Sequence, residues 1–179
     1  MKKVVILFVL GIGCLIGQHS DNFQFRHHLG ISVSGLSGSG LTYRFYKPDY
    51  AIRIAGYVYS YDDEYGPENW YEFGATFEKN FIKTKHTRLY GLVGFKKQFY
   101  GYEWDDSYWG YDEKQESSIF AISAGFGLEI AFLKHITLYI DVGERYFRDS
   151  TINRYGEENY SYNSKGIGMA LTLGLGYSF

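Results

Sequence analysis

The sequence predicts one eight-stranded antiparallel transmembrane β-barrel that follows a signal peptide. Tyr, Phe and Trp make up 20% of the 179 residues while only two residues are proline, and this composition favours strands. Large apolar side chains alternate with small or polar ones along most of the chain after residue 28. The second face carries mainly Gly, Ser, Ala and Thr with isolated charges, which is typical of a crowded barrel lumen.

Charge and cysteine content exclude several classes of protein. The 18 basic and 20 acidic residues give a formal net charge of -2, which is no footprint for binding nucleic acid. The only cysteine is Cys14, so neither an intrachain disulfide nor a cysteine-rich zinc site can form. We expect no cofactor, no metal and no nucleic acid partner.

Residues 1–20 are predicted to be a signal peptide, and residues 21–179 the barrel domain. Lys2 and Lys3 precede an apolar run that reaches Ile16 and is too short to span a bilayer with margin. No clean small-x-small cleavage site is present, so the mature start is placed between residues 18 and 22. Cys14, preceded by Gly13, leaves lipid attachment as an alternative.

The first four predicted strands show a period of two, which places their apolar residues on one face. The residues of this face, in strand order, are Leu29, Ile31 and Val33; Leu41, Tyr43 and Phe45; Ile52, Ile54 and Val58; and Tyr71, Phe73, Ala75 and Phe77.

The last four strands follow the same rule, with one ambiguous segment. Within residues 88–100 we place Leu89, Val93 and Phe95 outward and Lys96 and Gln98 inward. The eighth strand alternates without error from residue 167 to residue 179, which requires one face in an apolar medium. The outward residues of the sixth and seventh strands are Phe120, Ile122, Phe126, Leu128, Ile130 and Phe132, and then Ile136, Leu138, Ile140 and Val142.

Eight charges fall on inward positions of these strands. Four acids and four bases can neutralise one another, whereas a lone buried charge would be costly. An eight-stranded barrel is just wide enough for side chains to fill it, so the sequence predicts a plugged interior and not a pore. The predicted lumen network consists of Arg44, Arg53, Lys96, Arg145, Glu72, Glu78, Glu129 and Asp141.

Short and long connections are predicted to alternate, as in barrels with one periplasmic and one exterior end. The short ones are residues 46–49, 83–86 and 132–135. The long ones are residues 61–69, 102–117 and 147–163, and the first connection, residues 36–40, is unusually tight. Aromatics are expected at the inner interface (Tyr46, Tyr50, Phe81, Tyr177, Phe179) and at the outer one (Tyr59, Tyr61, Trp70, Phe99, Tyr102, Tyr146).

From His28 to Phe179 the sequence resembles the small outer-membrane β-barrel proteins of Gram-negative bacteria, similar to the OmpA, OmpX and OmpW barrels and the porin family. The most specific element is the aromatic-ended run from Leu173 to Phe179. The resemblance implies a monomer in the outer membrane, surrounded by lipid and lipopolysaccharide. It also implies that Leu175, Tyr177 and Phe179 form the signal read by the barrel-assembly machinery. No active-site motif carries over.

The five histidines lie at the N-terminus or in the short turns. Some small barrels modify lipid A with a histidine near the outer leaflet, but His135 and Thr137 lie at the opposite end. His27 and His28 point to opposite faces of a strand and so make a poor metal site. We therefore predict no catalytic residue, and interpret the histidines as solvated turn or interface residues.

The long connections carry 13 of the 20 acidic residues, interleaved with Tyr and Trp. Exposed aromatics of this kind often anchor contact surfaces, although acidic loops also simply keep a lipopolysaccharide-covered surface wet. The predicted role is structural or surface-interacting, towards an unidentified ligand. A narrow channel for small or apolar solutes and a lipid A-modifying enzyme remain as alternatives. The candidate contact residues are Trp104, Asp105, Asp106, Tyr108, Trp109 and Tyr111.

Overall fold

Eight antiparallel strands close into a barrel, which confirms the predicted fold class. The computed structural model describes residues 25–63, 66–106, 111–132, 135–156 and 158–179, and the predicted signal peptide with Cys14 lies outside them. This part of the chain has no α-helix that is long and apolar enough to cross a membrane. The strands are β1 His27–Ser34, β2 Gly40–Tyr46, β3 Tyr50–Asp63, β4 Gly66–Lys83, β5 Thr87–Asp106, β6 Tyr111–Phe132, β7 Ile136–Tyr155 and β8 Glu158–Ser178.

An apolar belt surrounds the barrel. Period-two alternation puts one set of side chains outside, and the large apolar members of that set are exposed on all eight strands. Exposed apolar area of this extent is stable only in lipid, and strand pairing around the ring satisfies the backbone there. The chain is therefore an outer-membrane-type barrel that spans a bilayer.

Three charged side chains interrupt the belt. Lys79, Lys97 and Glu144 occupy outward positions on β4, β5 and β7. Lys97 donates a 2.6 Å hydrogen bond from Nζ to Ser118 Oγ near the upper border, and long lysine side chains can reach polar headgroups. Glu144 lies two residues below Tyr146, inside the belt, and the sequence analysis did not single it out.

The barrel has two different ends. The turn end carries the short turns and the contact between Arg26 and Phe179, whose backbone atoms N and O are 3.1 Å apart. At the hairpin end the paired strands extend beyond the belt, because β4 to β8 have 18–22 residues and a transmembrane β-strand needs only about 9–11.

The predicted long connections are wrong in extent. Residues 61–69, 102–117 and 147–163 are mostly paired strand: Asp63 pairs with Gly66, Asp106 with Tyr111, and Tyr155 with Glu158. Both faces of these hairpins lie outside the belt, so the alternation of apolar with small residues ends while the backbone pairing continues.

Strands β1 and β2 are much shorter, with eight and seven residues. β1 pairs with β8 only at residues 172–178, and β2 pairs with β3 only at residues 51–56. Above this level, residues 57–63 of β3 and 158–169 of β8 have no strand partner on that side among the described pairings. We call the resulting gap in the wall the lateral notch.

The connection between β1 and β2, residues 35–39, folds into the lumen as a plug segment. Leu36 and Ser37 are buried, and Ser123 Oγ donates a 3.0 Å hydrogen bond to Leu36 O. Gly74 on the opposite wall makes room, since a Cβ there would lie 2.2 Å from Ser37 O. Gly38 and Gly40 take positive φ angles of 94° and 97°, which glycine adopts without strain.

Candidate functional site

The lower lumen, towards the turn end, is filled by three arginines and three carboxylates. This ion cluster consists of Arg44, Arg53, Arg88, Glu78, Glu129 and Asp141, and every member is at most 1% exposed. Its formal charges balance, so no net charge is buried. Because single buried charges are costly, each member depends on the others.

Each arginine of the ion cluster bridges two carboxylates. Arg44 lies 3.1 Å from Glu78 Oε1 and 2.9 Å from Glu129 Oε2 through its two terminal nitrogens. Arg53 Nη2 lies 2.6 Å from Asp141 Oδ2, and its Nε lies 3.3 Å from Glu78 Oε1.

Arg88 completes the ion cluster. It contacts Glu78, and its Nη2 lies 2.8 Å from Glu129 Oε2. The sequence analysis missed Arg88, although its own register for β5 gives the signal: if Leu89 faces outward, then Arg88 must face inward.

Tyrosine side chains line the ion cluster. Tyr90 Oη donates a 2.6 Å hydrogen bond to Asp141 Oδ1, and the Arg44 guanidinium carbon lies 4.2 Å from the centre of the Tyr139 ring. Tyr46 donates to Glu129 and is 3% exposed, so its predicted position at the inner interface is wrong. The reason is parity, because Tyr46 shares the inward face of β2 with Arg44.

A second, smaller ion pair lies above the cluster. Lys96 Nζ is 3.2 Å from Glu72 Oε2, and both side chains are almost fully buried. The plug segment joins this pair to the cluster, because Ser39 N donates to Glu72 Oε1 at 2.5 Å and Arg53 Nη2 donates to Ser37 Oγ at 3.2 Å. Seven of the eight predicted network residues are thus placed together.

Arg145 is the exception among the predicted lumen charges. It faces inward and donates a 3.1 Å hydrogen bond from Nη1 to Gly35 O, but it makes no ion pair with any carboxylate in the described ranges. Four residues of extended strand, about 13 Å, separate it from Asp141 on β7. The expectation that Arg145 joins the network is therefore wrong, because the plug segment lies beside it instead.

The side chain of His28 is buried, which contradicts its interpretation as a solvated turn residue. His28 Nδ1 lies 2.7 Å from Thr137 Oγ1 and 3.2 Å from Ser178 Oγ. The group resembles a nucleophile with its base, but His28 is 0% exposed inside the turn end. A base acts only where it reaches a substrate proton, so we interpret the group as packing of the lumen. The described residues also contain no cluster suited to holding a metal ion.

An aromatic cup lies above the plug segment, enclosed by the projecting hairpins. Trp70 contacts Tyr57 and Tyr100, with ring centres 6.3 and 5.7 Å away. All three occupy inward positions, so the predicted place of Trp70 at the outer interface is wrong. The inward parity of β4, which Trp70 shares with Glu72, is the signal that could have placed it.

The predicted contact residues fall at the tip of the β5–β6 hairpin. The backbones of Trp104, Asp105, Asp106 and Tyr111 belong to these paired strands, for example through Trp104 opposite Glu113. Tyr108 and Trp109 lie outside the described residues. Just below, Lys114 contacts Glu103 and lies 3.3 Å from Glu116 Oε1, and these hydrogen bonds raise the pKa of the Lys114 ammonium.

The predicted assembly residues lie on the outward row of β8, at the junction with β1. Leu175, Tyr177 and Phe179 are all exposed on the belt. The Phe179 ring stacks on His27 at 5.6 Å, and Phe179 N donates a 2.9 Å hydrogen bond to His27 O. The last residue therefore takes part in closing the barrel.

Comparisons with known proteins give two solved structures of similar shape. A major outer membrane protein from Thermus thermophilus is 12% identical, with 86% of this chain and 99% of that chain covered and a TM-score of 0.45. CarO from Acinetobacter baumannii is 9% identical, with 89% and 100% covered and a TM-score of 0.44. No protein family and no curated protein matches the sequence.

Proposed function

We propose that this chain is a non-catalytic barrel of a bacterial outer membrane, with a structural or surface-interaction role through its acidic, aromatic hairpins. The observation that carries the proposal is the filled lumen. The ion cluster and the plug segment occupy successive levels of a barrel that is only just wide enough for side chains. This arrangement supports a closed membrane scaffold and disfavours the channel alternative.

The first test is electrical. Purified protein inserted in planar lipid bilayers should give no stepwise current, because no continuous water path passes the ion cluster. A large porin inserted under the same conditions serves as the positive control. Reproducible unitary steps from the pure protein would contradict the closed lumen and favour the channel alternative.

The projecting hairpins offer a surface for a basic partner. A groove of about 430 Å³ lies on the outward face of β4 to β7 above the belt. Acidic and aromatic side chains meet in it, and such surfaces attract positively charged partners through complementary charge. The lining residues include Tyr71, Phe99, Glu103, Lys114, Glu116 and Ile152.

Replacing residues 105–112 by Asn-Gly tests this role. In the structure Trp104 pairs with Glu113, so a two-residue turn can join them without changing the register below. We expect unchanged heat-modifiable gel migration, because hairpin tips contribute little to barrel stability. Binding to immobilised polylysine at low salt should weaken, since three aspartates are removed.

The two readouts separate two failures. Loss of heat-modifiable migration would show that the tip is needed for the barrel itself, against the assigned topology. Unchanged polylysine binding by a folded variant would show that the tip is not the contact surface.

A further inference from the structure

The lateral notch opens inside the apolar belt and not above it. Strands of eight and seven residues are shorter than the 9–11 or so that span a membrane, so β1 and β2 stop below the outer boundary. On β8 the outward apolar residues Met169 and Ile167 continue above the end of β1. On β3 Val58 continues above β2. The hydrocarbon of the outer leaflet therefore borders the notch.

Side-chain exposure marks the same place. The four most exposed large apolar side chains of the described residues are Val33 at 77%, Val58 and Ile167 at 74%, and Met169 at 69%. All four border the notch, because each lacks a neighbouring strand. The unpaired backbone of β8 there can only be satisfied by water or by a polar ligand, since lipid offers it no hydrogen bonds.

The notch leads into the aromatic cup past a row without side chains. Gly166 and Gly168 face inward on β8, and a Cβ added to Gly168 would meet no atom within 4 Å. On the far side of the cup Trp70 keeps a buried indole Nε1 without a hydrogen-bond partner among the described residues. The cup thus combines open space, aromatic walls and an unused donor.

One cation remains unneutralised at the base of the notch. The ion cluster balances three arginines with three carboxylates, and Lys96 is paired with Glu72, which leaves Arg145. Arg145 lies directly opposite Gly168 in the β7–β8 pairing. The next inward carboxylate on β7, Asp149, is already hydrogen-bonded to Ser117 Oγ and Thr151 Oγ1 at 3.2 and 3.3 Å.

We propose that the notch and the cup form a binding site for a long-chain carboxylate, a single-chain anionic amphiphile that enters sideways from the outer leaflet. Its carboxylate pairs with Arg145, whose planar guanidinium matches that group. Its alkyl chain passes Gly168 and leaves between Met169 and Val58 into the lipid. A single cation neutralises a single carboxylate, so this ligand leaves no buried charge.

The test uses Trp70 as the reporter. The full chain has three tryptophans, and replacing Trp104 and Trp109 by Phe leaves Trp70 alone in the cup. The protein is folded into bilayers and titrated with dibromostearate, whose bromines quench indole fluorescence at short range. We expect saturable quenching in this parent. Arg145→Gln should weaken the apparent affinity at least tenfold, while Arg148→Gln, an exposed outward arginine, should leave it unchanged.

Two further arms distinguish a site from dissolved lipid. Gly168→Leu fills the open space beside Arg145 and should abolish saturable quenching, with heat-modifiable migration showing that the barrel is folded. The neutral dibromostearyl alcohol should quench weakly and equally in the parent and in Arg145→Gln. Equal quenching by acid and alcohol in all variants would overturn the proposal, as would an unchanged affinity in folded Arg145→Gln.

Discussion

Glu129→Gln should lower the free energy of unfolding by about 3–5 kcal/mol, the usual cost of removing one partner from a buried ion pair. The glutamine keeps the size of the side chain but removes its charge, so Arg44 and Arg88 both lose a partner within 3 Å. The lumen would then hold an uncompensated positive charge. The measurement is urea unfolding of protein refolded in lipid, followed by tryptophan fluorescence.

The same chain offers a matched control. Glu116→Gln removes a carboxylate that is 3.3 Å from Lys114 on the exposed hairpins, and there we expect no measurable change, because exposed ion pairs contribute little. The double variant Arg88→Gln with Glu129→Gln restores charge balance and should be more stable than Glu129→Gln alone. An unfolding midpoint for Glu129→Gln equal to the parent would contradict the interdependence of the ion cluster.

The barrel was predictable because the lipid acts on every strand in the same way. Each outward position within the belt must be apolar, and this constraint repeats with a period of two, as from Ile167 to Phe179. The inward positions of Arg44, Arg53, Glu78 and Asp141 follow from the same parity. Outward apolar residues thus located the lumen charges without any information on contacts.

Features that do not face lipid were poorly predicted. Residues 34–40, Ser-Gly-Leu-Ser-Gly-Ser-Gly, indicate a turn, and only packing against Gly74 and Ser123 shows that this turn folds inward. Above the belt both faces of a hairpin are wet, so no periodic pattern separates strand from loop. Tyr46 was misplaced because aromatic type was given more weight than strand parity.

Phe179→Ala should reduce the amount of protein in the outer membrane several-fold while changing refolded stability little. We propose that Phe179, with Tyr177 and Leu175, forms the signal read by the barrel-assembly machinery. The Phe179 ring is 57% exposed, so the burial lost on truncation is small and costs at most about 2 kcal/mol. Its backbone hydrogen bonds to Arg26 and His27 do not depend on the side chain.

Phe81→Ala separates recognition from packing. Phe81 is an outward aromatic near the turn end of β4 with almost the same exposure, 58%, and it packs against Phe126 at a ring distance of 6.2 Å. Both truncations remove similar apolar contacts, so they should shift urea midpoints by similar amounts. Only Phe179→Ala should lower outer-membrane levels. If both variants reach parental levels there is no signal at Phe179, and if both levels fall alike then packing at the interface, not recognition of the terminal residue, governs assembly.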